Sequence, residues 1–342
     1  MNELIITKPD DMHLHLRQGE LLKTVIKDTE KQFARAVVMP NLNNPVMNVT
    51  LAEDYYNEIK QSCSVFEPLM TLYFTDQLTE QEIKKASASP KIIGIKLYPA
   101  GVTTNSSHGV KSIKDHYHIL EKMEKYDLPL LIHGEVNDKN IDVFDREKVF
   151  IDNYLSEITS LFPSLRIVFE HISTKDAVSF VSQSSEKIAA TITPQHILMN
   201  RNDLLVGGIK PHNYCLPVLK RKIHQEAVLN AAISGNAKFF LGTDSAPHLK
   251  YEKESACGCA GVYSASNAIE LYADIFEKNN ALDKLEGFSS FYGADFYNLP
   301  RNKSKLKLIK QQNKILESIP SEAGEIIPFM AGKIIQWQSF DD

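Results

Sequence analysis

Eight short, continuously apolar runs recur along this chain of 342 residues: Leu4–Thr7, Ala34–Met39, Pro68–Phe74, Ile92–Leu97, Leu128–Ile132, Leu165–Phe169, Ile188–Ile192 and Phe239–Leu241. Runs that do not alternate with polar residues read as strands buried on both faces, the condition of a parallel sheet covered by helices. Helix-length amphipathic stretches separate most of them: Leu51–Lys60, Glu80–Ala88, Ser112–Tyr126, Lys148–Leu161 and Leu219–Ala232. In the third stretch Ile113, Tyr117, Leu120 and Met123 recur at steps of three and four, which is one face of a helix. Eight strand–helix units predict a (β/α)8 TIM barrel, whose active site lies where the strands' C-terminal ends meet. A doubly wound open sheet is the alternative that strand count leaves standing. At about 150 residues per domain the length alone suggests two domains. No Pro/Gly/Ser-rich linker divides the chain, however, and a barrel takes about 250 residues as one unit. A single domain over residues 1–342 is therefore expected, with residues 302–342 packed on it as a short β extension. That extension is Lys-rich, then β-prone at Glu325–Phe329 and Lys333–Trp337, and reads as a hairpin.

Composition narrows the partners. Lys and Arg number 38 against 43 Asp and Glu, a net charge of −5, so no nucleic-acid footprint is expected. Apolar residues at 43% and charged residues at 24% are globular proportions, which excludes disorder as the main state. No apolar run approaches the ~18 residues of a membrane span. Met1–Asp10 lacks the basic segment and apolar core of a signal peptide, so a cytoplasmic location is expected. Four cysteines do not make a disulfide scaffold in so long a chain. Cys63 and Cys215 read as packing residues, and Cys257-Gly258-Cys259 as free thiols in a tight loop.

The residues that carry chemistry sit at the predicted strand ends. The first run is followed by Asp11-Met12-His13-Leu14-His15-Leu16-Arg17, and the fourth contains Lys96. The fifth leads into His133, the sixth into His171 and the eighth into Asp244. A barrel brings these to one mouth. Three or four imidazoles and a carboxylate suit a borderline divalent ion such as Zn²⁺. His13 and His15, two apart in an extended segment, point the same way and can reach one ion. A single histidine at a strand end is more often a hydrogen-bonded packing residue, but candidates at five strand ends shift the reading to a metal site. His108, His116, His118, His196, His212 and His224 read as surface or structural residues. No nucleophile elbow, phosphate-binding glycine loop, dinucleotide fingerprint or His-Glu-x-x-His motif is present.

Eight motifs in order carry a family likeness: Asp11–Arg17, Met39–Asn41, Gly94–Pro99, Leu131–Glu135, Phe169–Ser173, Cys215–Arg221, Gly242–His248 and Cys257–Gly261. Together they resemble the dihydroorotase family of the amidohydrolase superfamily, in the short bacterial form without a separate β-sandwich domain. The likeness covers nearly the whole chain. By itself Lys96 is an ammonium with no lone pair to offer a metal. The resemblance implies instead that Lys96 is carboxylated on its amine (N6-carboxylysine) and bridges two Zn²⁺ ions together with a hydroxide. It implies that one ion takes His13, His15 and Asp244, and the other His133 and His171. Asp244 is then the catalytic acid and base in a reversible cyclisation of N-carbamoyl-L-aspartate to L-dihydroorotate, with release of water, in pyrimidine biosynthesis.

The same resemblance distributes substrate contacts. Arg17, Asn41 and His248 would take the substrate carboxylate, for which a guanidinium fork is suited. The backbones of Leu216 and Ala260 would take the amide edge of the ring, and His15 and His133 face it as well. The segment Ala100–Gly109, rich in Gly, Thr, Asn and Ser, overhangs the mouth and reads as a lid whose Thr103 and Thr104 close over the substrate. A homodimer is expected, with neither nucleic acid nor membrane as partner. A hydantoinase- or allantoinase-like cyclic amidase would share the metals without needing the Arg17/Asn41 pairing, and a non-catalytic scaffold would have lost metal ligands.

Overall fold

In the computed structural model, which describes residues 2–341, the first apolar run forms a strand, β1 (Glu3–Thr7), that stays outside the barrel. The first barrel strand is the next segment, β2 (Asp10–Leu14). It is followed by β3 (Arg35–Val38), β4 (Glu67–Tyr73), β5 (Ile92–Leu97), β6 (Leu130–Ile132), β7 (Ile167–Phe169), β8 (Ile188–Ile192) and β9 (Phe239–Leu241). These eight form one parallel sheet in sequence order. The misplaced first strand has a physical reason. β2 reads Asp-Asp-Met-His-Leu, too polar to look like a buried strand, yet every one of its residues is buried. Its carboxylates are satisfied internally: Arg35 donates to Asp10 at 2.9 and 2.6 Å, and Thr243 donates to Asp11 at 2.8 and 2.6 Å.

The sheet closes on itself, so the open doubly wound alternative is excluded. Leu14 bridges Ser245 in parallel, the His15 N–H donates to the Ser245 carbonyl at 3.0 Å, and the Asp244 N–H donates to the His13 carbonyl at 2.9 Å. The closing seam is therefore built from the backbone of the candidate residues themselves. Met12, Val37, Leu69, Leu131, Val168 and Phe240 fill the barrel interior together with Tyr297. A second apolar layer lies between strands and helices. The helix Glu80–Ala88, capped by Thr79, buries Ile83 and Ala86 there. The expected helix at 148–161 is present, but a π turn at Ile151–Leu155 interrupts it. Among the described residues no helix is long and apolar enough to cross a membrane.

The C-terminal extension is more than the expected hairpin. Its strands are β10 (Lys305–Lys314), β11 (Ile319–Ser321), β12 (Gly324–Ile326) and β13 (Ile334–Asp341). β10 lies between β1 and β13 in an antiparallel three-stranded sheet, and β11 and β12 make a separate small hairpin. The Lys-rich stretch is itself a strand, because Leu306 and Leu308 point inward in alternation with the exposed Lys305 and the half-buried Lys307. β1 is the third member of that sheet, which accounts for its absence from the barrel.

Candidate functional site

Three candidate side chains enter the mouth from left-handed backbone: Arg17 at φ 61°, His171 at φ 42° and Asp244 at φ 47°. Such conformations are uncommon for residues other than glycine and cost about 1–3 kcal/mol each, so the surroundings must impose them. Asp11 is one such constraint. It accepts from the N–H and hydroxyl of Thr243, and also from the His13 N–H at 3.1 Å, which clamps β2 to the end of β9. Gly242 is another. A Cβ there would lie 2.7 Å from Thr191 Cβ and 3.0 Å from His13 Cβ, so only glycine lets the chain pass this close.

The side chains that converge are His13, His15, His171 and Asp244, with His133 and Lys96 beside them. His13 Nε2 lies 3.4 Å from His15 Nε2, and Asp244 Oδ1 stands 3.1 Å from His15 Nε2 and 3.3 Å from His13 Nε2. The His171 ring centroid is 5.0 Å from that of His13 and 4.7 Å from that of His133. His133 turns its Nε2 to Glu135 at 3.0 Å, and the other Glu135 oxygen lies 3.4 Å from the buried Lys220 ammonium. Lys96 lies beneath the mouth, fully buried, with its ammonium donating to Glu170. Glu170 also stands 2.9 Å from His13 Nδ1.

Burial and neighbours set the charge states. Burial pushes the His15 imidazole down to about 4, and drives His171 well below the ordinary histidine range. Burial also disfavours a charged His13, but the Glu170 charge and the hydrogen bonds to Asp244 and Glu170 together hold that ring above its usual value. Asp244 would be raised by burial, yet hydrogen bonds to His13 and His15 keep it well below the carboxylate range. Burial lowers Lys96, and Glu170 only partly opposes this.

This donor set fits a divalent cation. His13, His15 and Asp244 form one group whose ligand atoms lie within 4.8 Å of one another, and His13, Glu170 and His171 form a second, overlapping group. Buried His171 Nδ1 and Glu170 Oε1 have no hydrogen-bond partner, the condition of atoms whose partner is an ion. The neutral imidazoles of His15, His133 and His171 and the ionised Asp244 are in the protonation states that bind metal, and an ion would displace the proton that Glu170 favours on His13.

Above the cluster the walls are Arg17, Asn41, Tyr98, Leu216 and Ala260, and the segment carrying Thr103 and Thr104 lies across the top. The Thr104 hydroxyl donates to the Ala260 carbonyl at 3.2 Å, and Asn41 Nδ2 donates to the Thr104 carbonyl at 3.0 Å. The enclosed volume is about 20 Å³, which is room for one water molecule. The Arg17 Nε donates to the Pro247 carbonyl at 3.2 Å, and among the described residues no carboxylate stands within ion-pair distance of the guanidinium, which lines the cavity. His248 sits behind Arg17, 3.1 Å from its Nη2 and 3.0 Å from the Ala260 carbonyl, and lines the adjoining cleft rather than the cavity. A larger cavity, of about 580 Å³, lies on the far side of Pro99–Ile113 and touches this network only at Glu135.

Sequence reasoning assigned no role to Tyr98, Asp11, Glu135 or Glu170. The last three share a signal that was present: each is a carboxylate within two residues of a strand-end histidine. Only a partner inside the protein justifies a charge at such a buried position.

The amidohydrolase family matches residues 5–318. A dihydroorotase of Picosynechococcus is 56% identical over 341 residues, covering 99% of both chains. Among solved structures, dihydroorotase of Saccharomyces cerevisiae in complex with 5-fluoroorotic acid superposes with a TM-score of 0.93 at 33% identity, covering 100% of this chain and 99% of that one. Dihydroorotase of Campylobacter jejuni gives a TM-score of 0.91 at 36% identity, covering 99% and 97%.

Proposed function

This chain belongs to the amidohydrolase family and, within it, to the dihydroorotases, and from that premise we propose how its residues divide the work. The enzyme is a hydrolase of cyclic amides that interconverts N-carbamoyl-L-aspartate and L-dihydroorotate, the ring-closing step of pyrimidine biosynthesis. His13, His15 and Asp244 would hold one Zn²⁺ and His133 and His171 a second, with Lys96 carboxylated and shared between them. Bound there, such ions supply Lewis acidity that activates water and polarises a carbonyl. The protein's own groups do the rest. Asp244, kept ionised, accepts the proton of the attacking water and returns it to the ring nitrogen that leaves, and in ring closure it runs the same transfer backwards.

The Arg17 guanidinium, which lines the same cavity as the histidine cluster and has no carboxylate in ion-pair distance among the described residues, is the observation that carries this reading. It suits the free carboxylate that both substrates possess. Asn41 completes that contact and His248, expected from the sequence to touch the carboxylate, backs the Arg17 guanidinium from the adjoining cleft, while the backbones of Leu216 and Ala260 take the amide edge. The Thr103–Thr104 segment covers the top of this narrow cavity, so substrate enters when that segment lifts. Its return excludes bulk water and adds two hydroxyl donors. A homodimer in the cytoplasm completes the proposal, and its mass in solution tests the dimer. The deciding experiment measures metal content alongside interconversion of the two substrates. Two Zn²⁺ per chain with turnover in both directions is expected, and a zinc-loaded protein inert toward both substrates would remove the assignment of these residues.

A further inference from the structure

Lys253 ends the short helix Lys250–Lys253, nine residues beyond Asp244, and is only 3% exposed. Its ammonium donates to three backbone carbonyls: Tyr214 at 2.9 Å, Cys259 at 2.7 Å and Gly261 at 2.7 Å. Among the described residues no carboxylate lies within ion-pair distance of it. A buried cation without a counter-ion is costly and persists only where its hydrogen bonds are complete. Here all three N–H donors are used. Burial pushes the group down to about 8, the mark of a cation taken out of water.

The three carbonyls belong to the two segments that bring Leu216 and Ala260 to the cavity wall. Two of them, Cys259 and Gly261, flank Ala260 on either side. The turn between them is unusual backbone, with Cys259 at φ 21° and Gly261 at φ 151°. A Cβ at Gly261 would lie 2.8 Å from His248 Cδ2, so the turn is pressed against His248. Carbonyl dipoles that converge in this way repel one another unless a cation sits between them. The carbonyl of Ala260 itself points the other way, accepting from the Thr104 hydroxyl and facing His248 Nε2.

We propose that Lys253 is a positioning residue of this reaction: its ammonium fixes the Ala260 peptide from both sides, so that Ala260 presents a rigid docking point for the Thr103–Thr104 segment and for the amide edge of the substrate ring. The inference rests on the reading above, in which Leu216 and Ala260 bind that edge, and it extends the reading to a residue that touches no substrate. Lys253 acts only through the carbonyls it gathers.

Lys253→Met keeps the length of the side chain and removes every donor. It is expected to raise KM for dihydroorotate about tenfold or more and to lower kcat less than about threefold, with metal content unchanged. In the ligand-free protein, amide hydrogen exchange at residues 100–109 and 257–262 is expected to quicken, a readout that needs no turnover. Thr104→Val, which breaks the other bond to Ala260, is expected to add less than about twofold to KM on the Lys253→Met background, since both act through one contact. Lys253→Arg keeps the charge, but its planar fork cannot satisfy three converging carbonyls, so it is expected to share the KM defect. Wild-type KM with unchanged exchange in Lys253→Met would overturn the proposal, as would full additivity with Thr104→Val or a wild-type Lys253→Arg. If Lys253→Met does not fold, Lys253→Gln, which retains two donors, is read by the same measurements. Failure of both to fold assigns Lys253 to stability alone and overturns the positioning role. A wild-type enzyme without dihydroorotate turnover removes the substrate reading instead, and the exchange data still decide whether Lys253 orders the two segments.

Discussion

Lys96 and Glu170, 74 residues apart in sequence, meet as a buried ammonium and carboxylate at the floor of the mouth. The contact exists only while Lys96 is an amine. Carboxylation turns that amine into an anion, which would then share a buried space with Glu170 and the ionised Asp244. Like charges at such distances cannot coexist out of water without cations between them.

Carboxylation and metal loading are therefore expected to rise and fall together. Chelation in CO₂-free buffer should remove the adduct from the intact-mass spectrum, and metal with bicarbonate should restore it. Lys96→Ala is expected to lose at least one metal and to drop turnover about a thousandfold or more. Added short-chain carboxylic acids should recover part of that loss. Two tightly held metals and normal turnover in Lys96→Ala would end the bridging role.

Asp244 and Arg17 should separate kinetically. Asp244→Asn removes a proton carrier used in the transition state, so kcat is expected to fall by about 10²–10⁴. Arg17→Met removes the carboxylate clamp, so KM should rise about 10–100-fold, with a smaller loss of kcat where the clamp also aligns the ring. Steady-state kinetics in both directions check this. Unchanged dihydroorotate binding by Arg17→Met would show that the guanidinium serves the fold.

The parts of this site legible in the sequence were those with a periodic or positional signature. Seven of the eight barrel strands showed as apolar runs, and His133, His171 and Asp244 stood at their ends. β2 was illegible as a strand because its polarity is balanced by Arg35 and Thr243, which are distant in sequence. Local pattern cannot show a partner 232 residues away. Lys96 has the same difficulty: nothing in its neighbours tells a solvated lysine from one facing Glu170. Lys253 was invisible for a further reason, since its partners are backbone carbonyls, which every residue possesses.

The tip of the loop over the mouth is held by polar bonds: Thr104 donates to the Ala260 carbonyl and accepts from Asn41, while Asn105 donates to the Asn41 carbonyl and to Asn43 and accepts from the Tyr73 hydroxyl. Tips held by polar bonds with little apolar packing open at lower cost than the packed core. Replacing Thr103 and Thr104 together by alanine should cut turnover about tenfold or more while leaving the metals in place. Hydrogen exchange at residues 100–109 should slow when carbamoyl-aspartate is added to the wild type. Wild-type kinetics in both directions for the double variant would reduce the loop to a connector.

His196 offers a pH test away from the metal cluster. Its Nε2 donates to the Pro217 carbonyl at 2.9 Å, which leaves Nδ1 to accept from the Thr193 hydroxyl at 2.8 Å. The ring is buried and neutral, and burial pushes it down to about 4 from an ordinary 6.5. In the unfolded chain the same ring takes up a proton below its ordinary value. Between those two values the unfolded state binds more protons, so stability falls as the pH falls. The loss begins near 6.5 and is complete near 4, and amounts to about 3 kcal/mol at most. His196→Gln can keep the bond to Pro217 but cannot titrate. Denaturant midpoints at pH 7 and pH 4.5 should therefore differ less in His196→Gln than in the wild type. Equal pH dependence in the two proteins would place the acid sensitivity of this fold in other groups.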